Sequence, residues 1–202
     1  MLNFQQRIVK RAVDLFVSIV GLLLSCWLIL LLYVISFIDT KKTGIISQKR
    51  IGYKGKFFRI YKIRTMKFVE GVYTSITVKN DPRITPFGAF LRKTKLDELP
   101  QLLNVLKGNM SLVGPRPDVP GFADELKGEE RVILEVKPGI TGPATLLFKN
   151  EEELLAQQEH PEKYNKEVIW PQKIAINMLY VKEYSLQKDI EYMFKTVCRF
   201  NA

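Results

Sequence analysis

Residues 15–38 contain no charged side chain, and this run restricts the fold more than any other feature of the chain. Its 24 residues make about 36 Å of continuous helix, enough for a hydrocarbon core of ~30 Å. The run is too long for a signal peptide, and no small-residue cleavage site precedes the basic stretch after it. Arg7, Lys10 and Arg11 lie before it; Lys41, Lys42, Lys49 and Arg50 lie after it. A spanning helix keeps its basic flank in the cytosol, so one of these sets would be on the wrong side. A re-entrant helix, entering and leaving through one leaflet, keeps both sets cytosolic. Gly21 and Ser25 are its candidate break points, because glycine is pliable and serine can bond a freed carbonyl. A single-pass anchor is the other reading. The division is residues 1–40 in the membrane and residues 41–202 as one cytosolic catalytic domain.

The net charge of +10 is unevenly spread: residues 1–40 carry +1, residues 41–116 carry +13 and residues 117–202 carry −4. Phosphates are the natural partners of such a stretch, whether in nucleotides, anionic lipids or nucleic acid. Cys26 and Cys198 do not make a disulfide framework. His160, the single histidine, reads as a polar residue at a helix end, and no Cys/His cluster has zinc spacing. A hard-metal site must therefore use carboxylates, which favours Mg²⁺.

The richest chemistry lies in residues 92–117. Asp97 and Glu98 sit at the start of an expected helix to Lys107, with Leu99, Leu102, Leu103 and Leu106 as its apolar stripe. Pro100 fits only a first turn, and Gly108 ends the helix. The positive end of the helix dipole favours an ionised carboxylate or a phosphate there, although taken alone the position is better explained by Asp97 as a plain N-cap. Arg116 is braced between Pro115 and Pro117, and a second rigid turn follows at residues 137–143. Upstream, residues 45–66 alternate as short strands around Gly52 and Gly55, so Lys62 and Arg64 share one face. Those two cations could grip a diphosphate or simply be solvated. Residues 71–86 read as a loop with turn signals at Asn80-Asp81-Pro82-Arg83, and residues 87–93 as a short helix that brings Arg92 near the carboxylates. Asn150 and Glu151, Glu152 and Glu153 read as a cap and acidic first turn. Pro171 starts another helix. Ser185 caps a last one with Leu186, Ile190, Met193, Phe194 and Val197 on one face and Lys188, Lys195 and Arg199 elsewhere, suited to a membrane surface or to the core. The fold class is α+β, mainly helical, with a short β-hairpin and amphipathic interfacial helices.

Together these segments resemble the bacterial sugar transferases, the monotopic phosphoglycosyl transferases. The matching stretches run from Arg50-Ile51-Gly52 to Tyr61-Lys62-Ile63-Arg64-Thr65-Met66, then Asp81-Pro82-Arg83-Ile84-Thr85, residues 91–117 and Lys137-Pro138-Gly139-Ile140-Thr141-Gly142. With the hydrophobic segment they cover nearly the whole chain, which looks like a small member carrying only the catalytic unit. The resemblance implies transfer of a sugar phosphate from a UDP-sugar to polyprenyl phosphate, releasing UMP, at the cytoplasmic face of the bacterial inner membrane. It implies Asp97 as nucleophile, Glu98 (with Asp97) as Mg²⁺ ligand, and Lys62, Arg92 and Arg116 as phosphate-facing cations. Arg64, Pro117 and Asn177 complete the expected substrate site. Two positions depart from the family: Cys26 follows Ser25 where many members have proline, and Asn177 stands where some have an acid. Homo-oligomerisation is left open. The competing class, a tethered module binding nucleic acid or anionic lipid, explains the charge but not the Asp-Glu pair, and no nucleic-acid-binding signature supports it.

Overall fold

Helix α1 (Phe4–Thr40) runs unbroken through the expected membrane segment in the computed structural model, which describes residues 2–70, 77 and 81–198. Asn3 starts it: its Oδ1 accepts from the Gln6 amide at 2.8 Å, and the Gln6 side chain returns the bond to the Asn3 amide at 2.8 Å. This reciprocal pair satisfies two amides that the first turn leaves unbonded. Lys41, with φ 52°, ends the helix in the left-handed conformation.

The burial of α1 is inverted. Lys10, Asp14, Ser18, Ser36 and Thr40 are buried, whereas Phe16, Leu23, Leu24, Trp27, Leu30 and Ile38 are exposed. A helix of a soluble domain turns its apolar stripe inward. This one turns a polar stripe inward, so its outer surface suits hydrocarbon, and it is long and apolar enough to cross a membrane.

Both ends of α1 rest on the same domain. Near the start, Lys10 Nζ donates to Asp189 Oδ2 at 2.5 Å and to the Val113 carbonyl at 2.9 Å. Arg11 donates to the Val105 and Leu106 carbonyls at 2.7 and 3.0 Å. Asp14 Oδ1 accepts from the Ser111 hydroxyl and the Leu112 amide. Near the other end, Ser36 donates to the Arg64 carbonyl at 2.7 Å, and Asp39 accepts from the Thr85 hydroxyl at 2.5 Å. The interruption expected at Gly21 and Ser25 is not a loss of helix. Ser25 donates to the Gly21 carbonyl at 2.6 Å, a back-bond that bends helices without ending them.

The domain begins with strands β1 (Ile45–Ile51) and β2 (Phe57–Ile63), an antiparallel hairpin with Ile45 opposite Ile63. Its connection uses Gly55 at φ 74°, as the glycine spacing suggested. Helix α2 (Pro86–Thr94) follows, capped by Thr85, whose hydroxyl accepts from the Gly88 amide at 2.9 Å. A 3₁₀ turn (Leu96–Glu98) leads to α3 (Gln101–Leu106), then β3 (Ser111–Val113) pairs in parallel with β4 (Gly139–Thr141). Helices α4 (Pro143–Leu147), α5 (Glu151–Ala156), α6 (Pro161–Tyr164), α7 (Trp170–Lys182) and α8 (Leu186–Cys198) complete the chain, with a π-helical stretch (Asn165–Ile169) joining α6 to α7. The architecture is mainly helical with two small sheets. Its main core joins Ile60 of β2, Val105 of α3, Leu112 and Val113 of β3, and Tyr180 and Val181 of α7.

Two helices face differently from expectation. On α3 the buried residues are Gln101, Asn104 and Val105, while Leu103 and Leu106 of the leucine stripe are partly exposed. Asn104 explains the rotation. Its Oδ1 accepts from the Tyr61 amide at 3.1 Å and its Nδ2 donates to the Arg59 carbonyl at 2.7 Å, satisfying backbone groups of β2. Leu102 turns instead toward α1, where a Cβ on Gly21 would lie 3.1 Å from its Cδ1. Helix α8 has the Ser185 cap, but Asp189 is its buried residue, drawn in by Lys10, so the expected face splits. Met193 packs on the core while Ile190, Phe194 and Val197 are exposed. Most of the expected loop before Pro86, Asn80 included, lies outside the described residues, as does Arg199.

The Lys10–Asp189 pair has side chains only 10% and 4% exposed, so removing one partner strands a buried charge. Asp189→Ala is expected to cost about 3–5 kcal/mol in denaturant unfolding of the detergent-solubilised protein. Lys10→Met with Asp189→Leu should recover most of that loss. An Asp189→Ala variant as stable as wild type would show that the pair does not hold α1 to the domain.

Candidate active site

Glu98 gathers charge from two distant segments. Its Oε1 accepts from Lys62 Nζ of β2 at 3.0 Å and from Arg116 Nη2, just beyond β3, at 2.7 Å. Lys62 also lies 3.9 Å from Asp97 Oδ2. Asp97 and Glu98 are 5% and 6% exposed, on the 3₁₀ turn rather than in the first turn of α3. With only six residues in α3, the helix dipole adds little; the cations carry the electrostatics. Asp97 caps nothing: its Oδ1 is buried without a hydrogen-bond partner among the described residues.

The two neighbouring carboxyls are pushed apart. Burial raises Asp97 above the ordinary carboxylate range, Lys62 opposes this, and the Glu98 charge adds to it. Burial also works against Glu98, but Arg116 and Lys62 outweigh it and hold Glu98 well below that range. Burial loosens the Lys62 proton, which Glu98 helps retain. Glu98 therefore stays ionised as a clamp, while Asp97 presents a desolvated oxygen with a free lone pair.

Backbone packing fixes Arg116. The Gly114 amide donates to the Thr141 carbonyl at 2.9 Å and the Gly139 amide to the Pro115 carbonyl at 2.8 Å. A Cβ on Gly139 would lie 2.1 Å from the Gly114 nitrogen, and one on Gly142 2.3 Å from the Gly114 oxygen. The two proline-rich turns noted in the sequence are thus one structure, pressed together where only glycine fits. Pro117 is buried beside it.

The other expected residues are placed less uniformly. Arg92 of α2 pairs with Glu152 of α5, and its charge reaches Asp97; its Nε is buried without a partner among the described residues. Arg64 turns from the carboxylates and donates to the Thr43 carbonyl at 2.7 Å and hydroxyl at 3.0 Å. Asn177 is buried on α7 with no partner for its Oδ1 among the described residues, and it bonds to neither Asp97 nor Glu98. Sequence reading missed Arg50, Asp118, Lys173 and the acids of α5. Asn150 makes no side-chain cap, and Glu151 pairs with Lys173 through both oxygens at 2.7 Å. Only Asp118 had a local signal, two residues beyond the braced arginine.

Among the described residues no three His, Cys, Asp or Glu side chains converge as a metal cage. Mg²⁺ rarely requires one, since it binds through one or two carboxylates and takes its remaining ligands from phosphates and water. The unpartnered Asp97 Oδ1 beside Glu98 fits that donor set.

The family model for bacterial sugar transferases matches residues 5–201. The chain belongs to the bacterial sugar transferase family. It is 36% identical over 200 residues to the exopolysaccharide production protein PSS of Rhizobium leguminosarum, covering 94% of each chain. A putative undecaprenyl-phosphate N-acetylgalactosaminyl 1-phosphate transferase of Bacillus subtilis is 41% identical over 122 residues, 60% of this chain and 68% of that protein. The UDP-glucose:undecaprenyl-phosphate glucose-1-phosphate transferase of Escherichia coli is 36% identical over 197 residues. That match takes in 95% of this chain but only 40% of the E. coli protein. As a family member the chain is a sugar transferase, and the Asp97–Glu98 cluster is its candidate centre.

The Glu98 environment gives a pH signature. Because its native pKa is depressed, its contribution to stability is complete above about 4.3, the unfolded carboxylate value, and fades as pH falls through the native value. The melting temperature of wild type should fall more steeply than that of Glu98→Gln below about pH 4.3. Parallel curves would show that Lys62 and Arg116 do not hold Glu98 ionised.

Proposed function

We propose that this chain transfers a sugar 1-phosphate from a UDP-sugar to undecaprenyl phosphate, releasing UMP, through a covalent intermediate on Asp97. The observation that carries this reading is the buried, unpartnered Asp97 Oδ1 beside a carboxylate that holds Lys62 and Arg116 together. The relatives' names supply the substrate class.

Asp97 Oδ1 attacks the β-phosphorus of the donor. The bond from that phosphorus to the oxygen bridging the two phosphates breaks, and UMP leaves with the oxygen and its electron pair. The product on the protein is a sugar-phosphoryl-aspartate. An oxygen of undecaprenyl phosphate then attacks the same phosphorus, forming a new diphosphate link and returning the electron pair to Asp97. Each displacement joins a positioned anion to one phosphorus, which avoids bringing two bulky anionic substrates together in a single step. Lys62, Arg116 and Arg92 offset the charge on the phosphoryl oxygens, with Arg116 able to use its planar fork. Mg²⁺ held by Glu98 and Asp97 would neutralise diphosphate charge and assist departure of UMP.

The membrane arrangement follows the same reading. Lys10, Arg11 and Asp14 touch the domain that Ser36 and Asp39 also touch, which supports a re-entrant α1 with both ends on the cytosolic side. A spanning helix would separate these groups by the ~30 Å hydrocarbon core. UDP-sugars are cytosolic, so the site belongs on the cytoplasmic face of the inner membrane.

Asp97→Asn keeps the side-chain size and removes the attacking charge. UMP release from UDP-sugars should fall by about 10³-fold or more with an unchanged melting temperature, and wild type should lose activity in excess EDTA. Wild type given donor without lipid acceptor should gain the mass of one sugar phosphate; Asp97→Asn should not. Near-normal turnover of Asp97→Asn removes Asp97 from the reaction.

Topology is tested by Gln5→Cys in a Cys26→Ser, Cys198→Ser background. The engineered thiol should resist a membrane-impermeant reagent in intact cells and react after permeabilisation. Labelling in intact cells would establish a spanning helix instead.

A further inference from the structure

Beside the phosphate cluster lies a second group of charges that the proposed reaction leaves unused. Arg50 at the end of β1, Asp118 after the braced arginine, Glu151 of α5 and Lys173 of α7 come from four separate parts of the chain. Glu151 and Lys173 pair with each other at 2.7 Å. Arg50 donates to Gln48 through one terminal nitrogen, but its Nε is buried with no partner among the described residues. The Asp118 carboxylate, although acted on by Lys173, Arg50 and Arg116, makes no hydrogen bond or ion pair among the described residues. Burial drives its carboxyl up to about 7 because the surrounding cations only partly compensate. Only its backbone is tied down, the carbonyl accepting from the Ile51 amide at 2.9 Å.

Asp118 opens into a cleft. Arg116 and Gly52 border it; Ile51, Ala123, Ile133 and Leu134 form an apolar wall. The cleft is shallow and partly open to solvent, far short of the ~300–1,000 Å³ of pockets that take drug-sized ligands. It therefore offers an edge for one part of a ligand to rest against and does not enclose a whole nucleotide sugar. A pyranose has the matching chemistry: a C–H face for an apolar wall and hydroxyls along the edge that donate to a carboxylate. Polar groups that lack partners until the ligand arrives, here the partly buried Asp118 carboxylate and the buried Arg50 Nε, also give a site discrimination, because an analogue without the matching hydroxyl leaves them unpaired.

We propose that Asp118 reads the donor sugar, accepting hydrogen bonds from its ring hydroxyls or N-acetyl N–H, with Arg50 and Lys173 orienting the carboxylate. This rests on the reaction proposed above, in which the β-phosphate and its sugar sit between Asp97 and Arg116. Arg116 then touches the phosphate side and Asp118, two residues on, the sugar side. Asp118 acts as a specificity residue, not in the displacement itself.

The test uses the full chain in detergent with undecaprenyl phosphate and UMP release as readout. Donors are UDP-glucose, UDP-galactose, their N-acetylamino counterparts and ring-deoxy derivatives. Asp118→Asn should lower kcat/KM for the preferred donor about 10- to 100-fold, the value of a hydrogen bond to a charged group. The loss should be much smaller for the deoxy donor lacking the hydroxyl that Asp118 contacts, so the ranking of donors compresses. Inhibition by UMP, which carries no sugar, should be unchanged. An equal loss for every donor, or a parallel weakening of UMP inhibition, overturns the proposal in favour of a structural or nucleoside-binding role. Should Asp118→Asn fail to fold, Asp118→Glu keeps the charge and moves it by one methylene; it should reorder the donors, and an unchanged order refutes the assignment. Wild type releasing no UMP from any UDP-sugar would instead refute the reaction itself.

Discussion

Everything in this molecule depends on holding one helix in two solvents at once. Helix α1 must keep an apolar surface toward hydrocarbon and still be fastened to a charged domain. It does so with a buried polar stripe that includes Lys10, Asp14, Ser36 and Thr40. In water such contacts exchange one set of hydrogen bonds for another and gain little. Next to hydrocarbon the alternative is an unsatisfied polar group, so the same contacts become obligatory. Asp14 also reaches the start of β3 and Arg11 the end of α3, so the membrane helix supports the two elements that follow the carboxylates. Anchoring and active-site geometry are therefore one problem with one solution.

The electrostatics of the centre follow from burial. Two adjacent carboxyls withdrawn from water resist being ionised together, and the protein resolves this by giving both close cations to Glu98. Asp97 is left with Lys62 at 3.9 Å and one oxygen free. The asymmetry comes from position. The turn before Arg116 is pressed against the Gly139 turn with no room for a Cβ, so the arginine leaves a fixed backbone and its guanidinium meets Glu98 at 2.7 Å. Rigidity around the arginine, visible in the sequence as flanking prolines, thus goes with a clamped Glu98 and an Asp97 that keeps one oxygen without a partner among the described residues.

Much of this was legible in the sequence. The uncharged run, the hairpin around Gly52 and Gly55, and α2 with Arg92 rest on local rules of periodicity, turn chemistry and proline geometry, whereas the grouping of Lys62 and Arg116 with the Asp-Glu pair came from the family resemblance. What was missed depends on long-range contact. Lys10 reads as a membrane-flank cation, yet 179 residues later Asp189 draws it into the core and turns α8 with it. The leucines of α3 read as a core stripe because the pattern assumes water outside; beside α1 they can face outward, and Asn104 takes the inner face to serve the β2 backbone. Glu151 and Glu152 read as helix-capping acids, a local explanation that hid their pairing with Lys173 and Arg92. Arg64 shares a strand face with Lys62 by alternation, but Thr43 lies closer and captures it.

The separation of the two charge clusters has a consequence for how such a protein diversifies. Phosphate chemistry tolerates little movement, so Lys62, Glu98 and Arg116 are tied to one another and to tightly packed backbone. Asp118, Arg50 and Lys173 are joined more loosely: the carboxylate has no direct partner among the described residues, and Arg50 and Lys173 come from β1 and α7. With Asp118 as the proposed reader of the donor sugar, substitutions in this second group would alter what is recognised without disturbing the proposed phosphate cluster. The names of the relatives fit that division, since they keep the lipid phosphate in common while the sugar changes from glucose to N-acetylgalactosamine. A site that placed both tasks on the same side chains would lose turnover whenever its sugar changed; separating them lets one reaction serve many donors.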